Sequence, residues 1–279
     1  MLRHSQPRLL LACSVVGLIT IGSIQPKAQS VANNPYHAVH GWESMPNGWK
    51  LGVPSGIFPD PDGKHLWILS RCGANHCANS NQDAIFKFDL DGNVVKSFGG
   101  GMFSFPHGFF LDHEGYLWVT EAAPAGDARE VEGLKRGLGH QVFKLDQDGE
   151  VVMTLGEAAV SGYGPDHFNG PAGVVVAPSG EIWVSDGHRG GNNRIVKFSS
   201  DGTFLFEVGG GVEARSGDPG KFNDPHDITI DSQDRIVVAD RGNNRVQIFD
   251  QQGALLAVWT QFGRPSTVFV DLHGTIYAG

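Results

Sequence analysis

At 279 residues with 40% hydrophobic content, the chain can bury a full core, which argues against a disordered protein. Its formal net charge of -9, from 30 acidic and 21 basic residues, argues against a nucleic-acid or anionic-membrane partner, because both require a cationic surface. The 39 glycines and 15 prolines, with few helix-forming segments after residue 31, indicate an all-β class with many tight turns.

The first thirty residues have the order of a signal peptide. Basic residues precede an apolar stretch at 9–24, and Ala28-Gln29-Ser30 supplies the small residues that a signal peptidase requires. We therefore expect a leader at residues 1–30 and a secreted or periplasmic location. An uncleaved anchor is one alternative, although the stretch is shorter than the roughly 20 residues that span a bilayer. A lipoprotein processing site at Cys13 is the other.

Removal of the leader leaves two cysteines, Cys72 and Cys77, five positions apart in a loop rich in Gly and Asn. In an exported protein this spacing predicts a local disulfide. Free thiols and a metal clip are the alternatives.

A four-part pattern returns along the chain in constant order. Each copy has a proline turn and apolar strand, a second strand such as "YLWVT", a third such as "IFKFD", and a turn before a fourth. The opening prolines are Pro54, Pro106, Pro171, Pro225 and Pro265; the second strands start at His65, Tyr116, Glu181, Arg235 and Thr275; the third start at Ile85, Gln141, Ile195 and Val246; and the last turns lie at Asp91, Asp148, Asp201 and Gln252.

This repeat predicts four-stranded antiparallel meanders that bury their faces against one another around an axis, as the blades of a β-propeller do. A β-sandwich is the alternative, but it has no reason to repeat the same four parts in order. We expect residues 31–279 to form a six-bladed β-propeller, with four full blades and part of a fifth in this chain, so that the domain is incomplete at its C-terminus.

The residue after each opening proline should face the central channel of such a propeller. In chain order these residues are Ser55, His107, Ala172, His226 and Ser266. His107 and His226 stand two blades apart, and a third histidine is expected in a sixth blade, beyond Gly279. Three imidazoles that converge on the axis suit a catalytic zinc with one open position. Hydrogen bonding in a polar channel is the alternative for each histidine.

The stretches "FPHGFFLDHEGYLWVTEA", "WVSDGHRGGNNRIVKFS" and "DPHDITIDSQDRIVVADRGNNRVQIF" resemble the NHL-repeat propellers, and among them the peptidyl-α-hydroxyglycine α-amidating lyases. The resemblance runs from about Trp49 to Gly279. It implies a three-histidine zinc whose first two ligands match His107 and His226. It also implies that Arg71 and Arg241 match active-site arginines, which would hold a carboxylate or alkoxide of a small-molecule or peptide substrate in the channel.

The sequence departs from that family at the general base. His188, in "SDGHRGGNNR", stands where the family has a tyrosine. Histidine can act as a base near neutral pH, so we expect His188 to be catalytic, unless the reaction is a different one. Tyr163, in a loop between blades, is a second candidate. An insertion from Pro124 to Leu138 is a further departure, which is expected to reshape the channel mouth.

The resemblance also implies a calcium ion in the channel, bound by the main-chain carbonyls of Ile57 and Phe109 and by a carboxylate beyond Gly279. Asp227 does not correspond to that carboxylate. Asp91, Asp148 and Asp201 form turns rather than metal sites. Arg194 and Arg245, from the "NNR" segments, are expected to bond turns between blades.

The leading hypothesis is an exported, zinc-dependent C–N lyase, with the structural calcium that the resemblance implies. The first alternative is a non-catalytic propeller whose rim binds a protein or a glycan. The second is another propeller enzyme, such as a lactonase, although such enzymes usually gather carboxylates at their metal rather than histidines.

Overall fold

The computed structural model describes residues 37–123, 125–211 and 216–279. The expected leader at residues 1–30 lies outside them. The chain divides into two compact units, Met1–His40 and Gly41–Gly279, and every described helix and strand belongs to the second. Within the described part of the chain, no helix is both long and apolar enough to cross a membrane.

Four antiparallel sheets of four strands follow one another, and in each the spatial order of the strands is their order in sequence. The strands are β1 (Pro54–Pro59), β2 (His65–Ser70), β3 (Ile85–Asp89) and β4 (Val94–Phe98); β5 (Pro106–Leu111), β6 (Leu117–Glu121), β7 (Val142–Leu145) and β8 (Val151–Leu155); β9 (Pro171–Val176), β10 (Ile182–Asp186), β11 (Arg194–Phe198) and β12 (Phe204–Gly209); and β13 (Pro225–Ile230), β14 (Ile236–Asp240), β15 (Arg245–Phe249) and β16 (Leu255–Trp259). A pair, β17 (Val268–Val270) and β18 (Ile276–Ala278), begins a fifth unit.

Helical structure is confined to short segments among the described residues. One α-helix, α1 (Ala128–Leu134), lies between β6 and β7, and 3-10 turns occupy Pro46–Gly48, His188–Gly190 and Arg241–Asn243. The all-β prediction and the predicted blade pattern are therefore confirmed, whereas the number of blades in the closed ring stays a prediction.

Hydrophobic cores lie between successive sheets. One cluster joins Trp67 and Leu69 of the first blade to Leu117 and Phe143 of the second. Similar clusters join the second blade to the third, the third to the fourth, and the fourth to β17 and β18. Each sheet thus buries its faces against its neighbours, which a lone meander cannot do.

A bulge starts the first strand of every complete blade. In the second blade the pairing with β6 shifts between Pro106 and Phe109, and comparable shifts occur at the starts of β1, β9 and β13. A residue left out of the ladder by a bulge can turn its side chain away from the sheet. This irregularity explains why the residue after each opening proline can face the channel.

Glycine follows that residue in three blades because the first strands approach one another closely. A Cβ on Gly108 would lie 2.5 Å from the carbonyl oxygen of Ala172, and one on Gly56 would lie 2.4 Å from the Cβ of Phe109. One on Gly173 would lie 2.9 Å from Oδ1 of Asp227. Real side chains do not reach such distances, so the Pro-x-Gly pattern is a packing requirement.

Buried arginines fasten the loops that lead into the blades. Arg194 is fully buried; its Nε donates to Asp186, and its Nη2 donates to the carbonyls of Gly164 and His167. Arg245 bonds Asp240 and a comparable loop in the same way. Cys72 and Cys77 form the predicted disulfide, in the loop after β2.

Candidate metal centre and active site

Three imidazoles meet at the centre of the blades. His107 lies on β5, His226 lies on β13, and His188 begins the 3-10 turn after β10. The ring centroid of His107 is 4.6 Å from that of His188 and 4.7 Å from that of His226, and the last two are 5.2 Å apart. One ring nitrogen from each histidine lies within 4.8 Å of the other two. Residues far apart in sequence therefore form a single cluster.

Each imidazole is anchored through Nδ1 to a main-chain carbonyl. The distances are 2.9 Å from His107 to Ala172, 3.0 Å from His188 to Ala122 and 2.7 Å from His226 to Ser266. A carbonyl oxygen can only accept, so each Nδ1 carries the hydrogen and each Nε2 keeps a lone pair. This is the outer-shell arrangement that orients histidine ligands around metal ions.

The three rings are neutral at physiological pH. Burial, with the nearby histidines and Arg71, holds the pKa of His107 well below its usual value. Burial lowers the pKa of His188 to about 3, and it also lowers the pKa of His226. A neutral imidazole is the form that binds a metal ion or accepts a proton.

Arg71 lies beside the cluster without a compensating acid. Its Nε donates to the carbonyl of Pro106 at 3.1 Å and its Nη1 to Asn75 at 2.8 Å, and its guanidinium stacks 4.0 Å from the centre of the Phe105 ring. Among the described residues no carboxylate forms an ion pair with it. Burial and the charges of Arg129 and Arg189 lower its pKa to about 10, so it remains a cation.

Arg241 follows β14 and is the second cation of the site. Its Nη1 is 3.8 Å from a carboxylate oxygen of Asp224, a loose ion pair, and its charge helps to lower the pKa of His226. Its Nε is buried and has no hydrogen-bond partner in the part of the chain that the structure describes. Arg71 lines the central cavity and Arg241 does not, so Arg71 is the better placed of the two to meet an anionic ligand.

The insertion between β6 and β7 contributes Arg129, a residue that sequence reasoning did not single out. Arg129 of α1 stacks 3.8 Å from the centre of the Phe105 ring and forms an ion pair with Asp127. The Phe105 ring lies 5.8 Å from His107 and 5.7 Å from His188. The position of Phe105 immediately before the Pro-His turn was the one available signal for its role.

A cavity of about 920 Å³ opens along the channel. Ser55, His107, Ala172, His226 and Ser266 all line it, as the repeat predicted. Arg71 also lines it, and its far part is apolar, with Phe110, Val176 and Ile230 in the wall. The space suits a small organic or peptide ligand with one anionic end.

The remaining predicted residues take different places. Ile57 and Phe109 line the same cavity, on β1 and β5. The described residues hold no group of three or more acidic, histidine or cysteine side chains suited to a metal other than the histidine cluster, so the calcium site stays a prediction. Tyr163 contacts Glu207 and stacks on Arg194 in the third blade, and it does not line the cavity.

The NHL repeat is a family pattern that this sequence matches, over residues 168–198 and 222–249. The probable peptidyl-alpha-hydroxyglycine alpha-amidating lyase pgal-1 of Caenorhabditis elegans is 34% identical over 216 residues, which cover 72% of this chain and 56% of that protein. NHL repeat-containing protein 3 of Homo sapiens is 35% identical over 185 residues, which cover 64% of this chain and 49% of that protein. The chain thus spans about half the length of these curated relatives.

A streptogramin B lyase structure superposes with a TM-score of 0.55 at 19% identity, over 81% of this chain and 61% of that chain. At this identity the likeness shows the fold alone. The repeats, the sheets and this neighbour together define an NHL-repeat β-propeller. Within that class, the chain is similar in sequence to an amidating lyase, the nematode protein.

Proposed function

We propose that the chain is an exported, zinc-dependent C–N lyase that cleaves peptidyl-α-hydroxyglycine into a peptide amide and glyoxylate. The observation that carries the proposal is the convergence of His107 and His226, each with a lone pair on Nε2. Beside them lie Arg71, which pairs with no described carboxylate, and Arg241, whose ion pair with Asp224 is loose. The similarity to the nematode lyase supports the choice of substrate.

The donor set fits zinc. Neutral imidazole nitrogens oriented by outer-shell carbonyls are typical ligands of catalytic zinc, whereas calcium and magnesium prefer oxygen. A zinc ion bound there would polarise the substrate hydroxyl and lower its pKa.

The chain's own residues would bind and orient the substrate. Arg71 and Arg241 would donate to its terminal carboxylate and so hold the hydroxyl-bearing carbon near the histidines. In the reaction the hydroxyl loses its proton, the oxygen forms a carbonyl with that carbon, and the C–N bond breaks. The nitrogen then takes up a proton to give the amide.

His188 is the sequence-based candidate for the proton acceptor, because burial keeps its imidazole neutral and its Nε2 keeps a lone pair. The same lone pair can also bind the metal, and one lone pair cannot serve both purposes at once. The substrate class does not depend on which of these two purposes His188 serves.

Export is part of the proposal. The disulfide between Cys72 and Cys77 supports it, since such bonds persist in oxidising compartments. The leader-like order of residues 1–30 supports it as well. A secreted or periplasmic protein would meet peptide substrates there.

A non-catalytic propeller that binds a protein or a glycan through its rim is the second candidate. The observation in its favour is the 35% identity to NHL repeat-containing protein 3, whose name states no activity.

The test is glyoxylate release from a short N-acylated α-hydroxyglycine peptide by the zinc-loaded chain. Arg71→Met and Arg241→Met should each reduce kcat/KM by about 10- to 150-fold, because each removes charge-assisted hydrogen bonds worth about 1.5–3 kcal/mol. Exposed Arg264 provides the control, and Arg264→Met should leave the rate unchanged. A zinc-loaded wild-type chain that releases no glyoxylate would favour the binding propeller instead.

A further inference from the structure

We propose that His188 is a metal ligand of this site through its Nε2, so that the second, third and fourth blades supply a complete three-histidine set. The inference rests on the proposed function only in requiring a metal ion at the cluster. It departs from the family pattern, which has a tyrosine at this position, and from the sequence-based expectation that His188 acts as a base.

The separations between the ring centroids do not set His188 apart from the other two histidines. His188 is as close to His107, at 4.6 Å between ring centroids, as His107 is to His226, at 4.7 Å. A base that acts beside a bound metal would stand farther out, with the substrate between its ring and the ligands. Two nitrogens on one tetrahedral zinc are about 3.4 Å apart. The observed separations of up to 4.8 Å exceed that value by up to about 1.4 Å, so the rings must move closer together when a zinc ion binds.

The anchoring of His188 is also that of a ligand. Its Nδ1 donates to Ala122 just as the other two rings donate to Ala172 and Ser266, so the three lone pairs are prepared in the same tautomer. The main-chain N–H groups of Gly187 and His188 both donate to the carbonyl of Gly170, which fixes the turn. A rigid position suits a metal ligand.

His188 differs from the other two histidines in its exposure to the cavity where a substrate would bind. His107 and His226 line the cavity, whereas His188 does not and is only 4% exposed. Its ring packs instead against Phe105, at 5.7 Å between centroids. A general base must reach the proton that it abstracts, and His188 faces the other imidazoles rather than the open channel.

Three neutral imidazoles leave the full double positive charge on a bound zinc ion, and Arg71 and Arg241 add to it. The open position should therefore prefer an anionic oxygen over water, such as the ionised hydroxyl or the carboxylate of an α-hydroxy acid.

The experiment measures metal binding without substrate. The metal-stripped chain is titrated with Zn²⁺ against a chromophoric chelator, and zinc per chain is counted by elemental analysis. His188→Ala should weaken zinc binding by about 100-fold or more, as His107→Ala should, since loss of a ligand exceeds the 10- to 100-fold effect of an outer-shell change. His113→Ala, at an exposed turn, is the matched control and should bind zinc as the wild type does.

His188→Tyr introduces the tyrosine that the family has at this position, and it further distinguishes a role as metal ligand from a role as general base. For a ligand, this change should alter the visible spectrum of the Co²⁺-substituted chain. Zinc affinity and cobalt spectrum equal to the wild type in both His188 variants would overturn the proposal. Should the variants fail to fold, X-ray absorption of the wild-type zinc protein counts its imidazoles: three support the proposal and two refute it. None of these outcomes depends on glyoxylate release.

Discussion

Gly108 allows the second and third blades to approach closely enough to form the histidine cluster. A Cβ added there would meet the carbonyl oxygen of Ala172 at 2.5 Å, the Cα of Gly173 at 2.8 Å and the hydroxyl of Thr120 at 2.9 Å. Two of these three atoms belong to backbone, so no side-chain rotation relieves the contact. Gly108→Ala must therefore push β5 away from β9 or strain both strands.

The expected cost is about 1–3 kcal/mol, the usual range for overpacking, which corresponds to a fall in Tm of about 2–12 °C for a domain of this size. The displacement also moves His107 from the carbonyl of Ala172 that anchors its Nδ1, so zinc affinity should fall about 10- to 100-fold.

Differential scanning fluorimetry and zinc titration of the same preparations test both effects. Gly263→Ala is the control, because a Cβ there meets nothing within 4 Å and the backbone does not have a positive φ. If Gly108→Ala proves as harmless as Gly263→Ala in both measurements, the close approach of the strands does not set the geometry of the site.

Two further predictions concern buried charges. Arg194→Met should lower the free energy of unfolding by about 3–5 kcal/mol, since it leaves Asp186 buried without its cation; the exposed-pair change Lys135→Met should cost less than about 1 kcal/mol in the same urea titration, and equal losses would contradict the argument. Burial raises the pKa of Glu121 to about 8 from 4.5, so the folded state holds the proton more tightly and stability should fall by up to about 1.4 kcal/mol per pH unit between those values. Glu121→Gln should abolish that decline, and urea titrations from pH 5 to pH 8 with the same slope for both chains would refute it.

The blades could be predicted from the repeat because every unit carries the same residue types at the same positions. A proline turn, a bulge and a glycine that admits the next strand recur at the start of each complete blade except the fourth, where Asp227 takes the glycine position. Asp227 remains compatible because its carboxylate accepts hydrogen bonds from Thr267 and Val268 of the fifth unit. The predicted second strands begin within a residue of the observed ones, since a short run of apolar residues bounded by turn residues marks each of them.

The helix in the insertion was missed, although its start carries a readable signal. Asp127 caps α1 by accepting from the main-chain N–H of Arg129, and Glu130 reaches back to the N–H of Gly126. An acidic cap followed three residues later by Glu is the pattern of a capping box. The stacking of Arg129 on Phe105 had no such signal, because it depends on how the insertion folds over the next blade.

The sequence placed all three histidines at the site, but it could not reveal their mutual distances. His107 and His226 follow from the repeat, because each occupies the position after an opening proline. His188 follows the second strand instead, on the rim where Arg71 and Arg241 also lie, and so its role was inferred from the tyrosine that it replaces. Only the packing of β9 and β10 against the second blade brings its ring within 4.6 Å of His107. The expectation of a further histidine after Gly279 stays a prediction.

The repeat itself supplies the anchors for two of the three imidazoles. His107 donates to the carbonyl of Ala172, which is the equivalent position in the next blade, and His226 donates to that of Ser266, again one blade on. Any blade with histidine at this position would find the same acceptor, because the bulge and the close approach of first strands recur. The third blade has Ala172 there, too small to reach the centre. His188 fills the gap from the turn after β10, and it uses the carbonyl of Ala122 on the preceding blade instead. A propeller can therefore assemble a metal site from single substitutions on a regular scaffold, since the carbonyls that accept the outer-shell hydrogen bonds are part of the fold before any histidine is present.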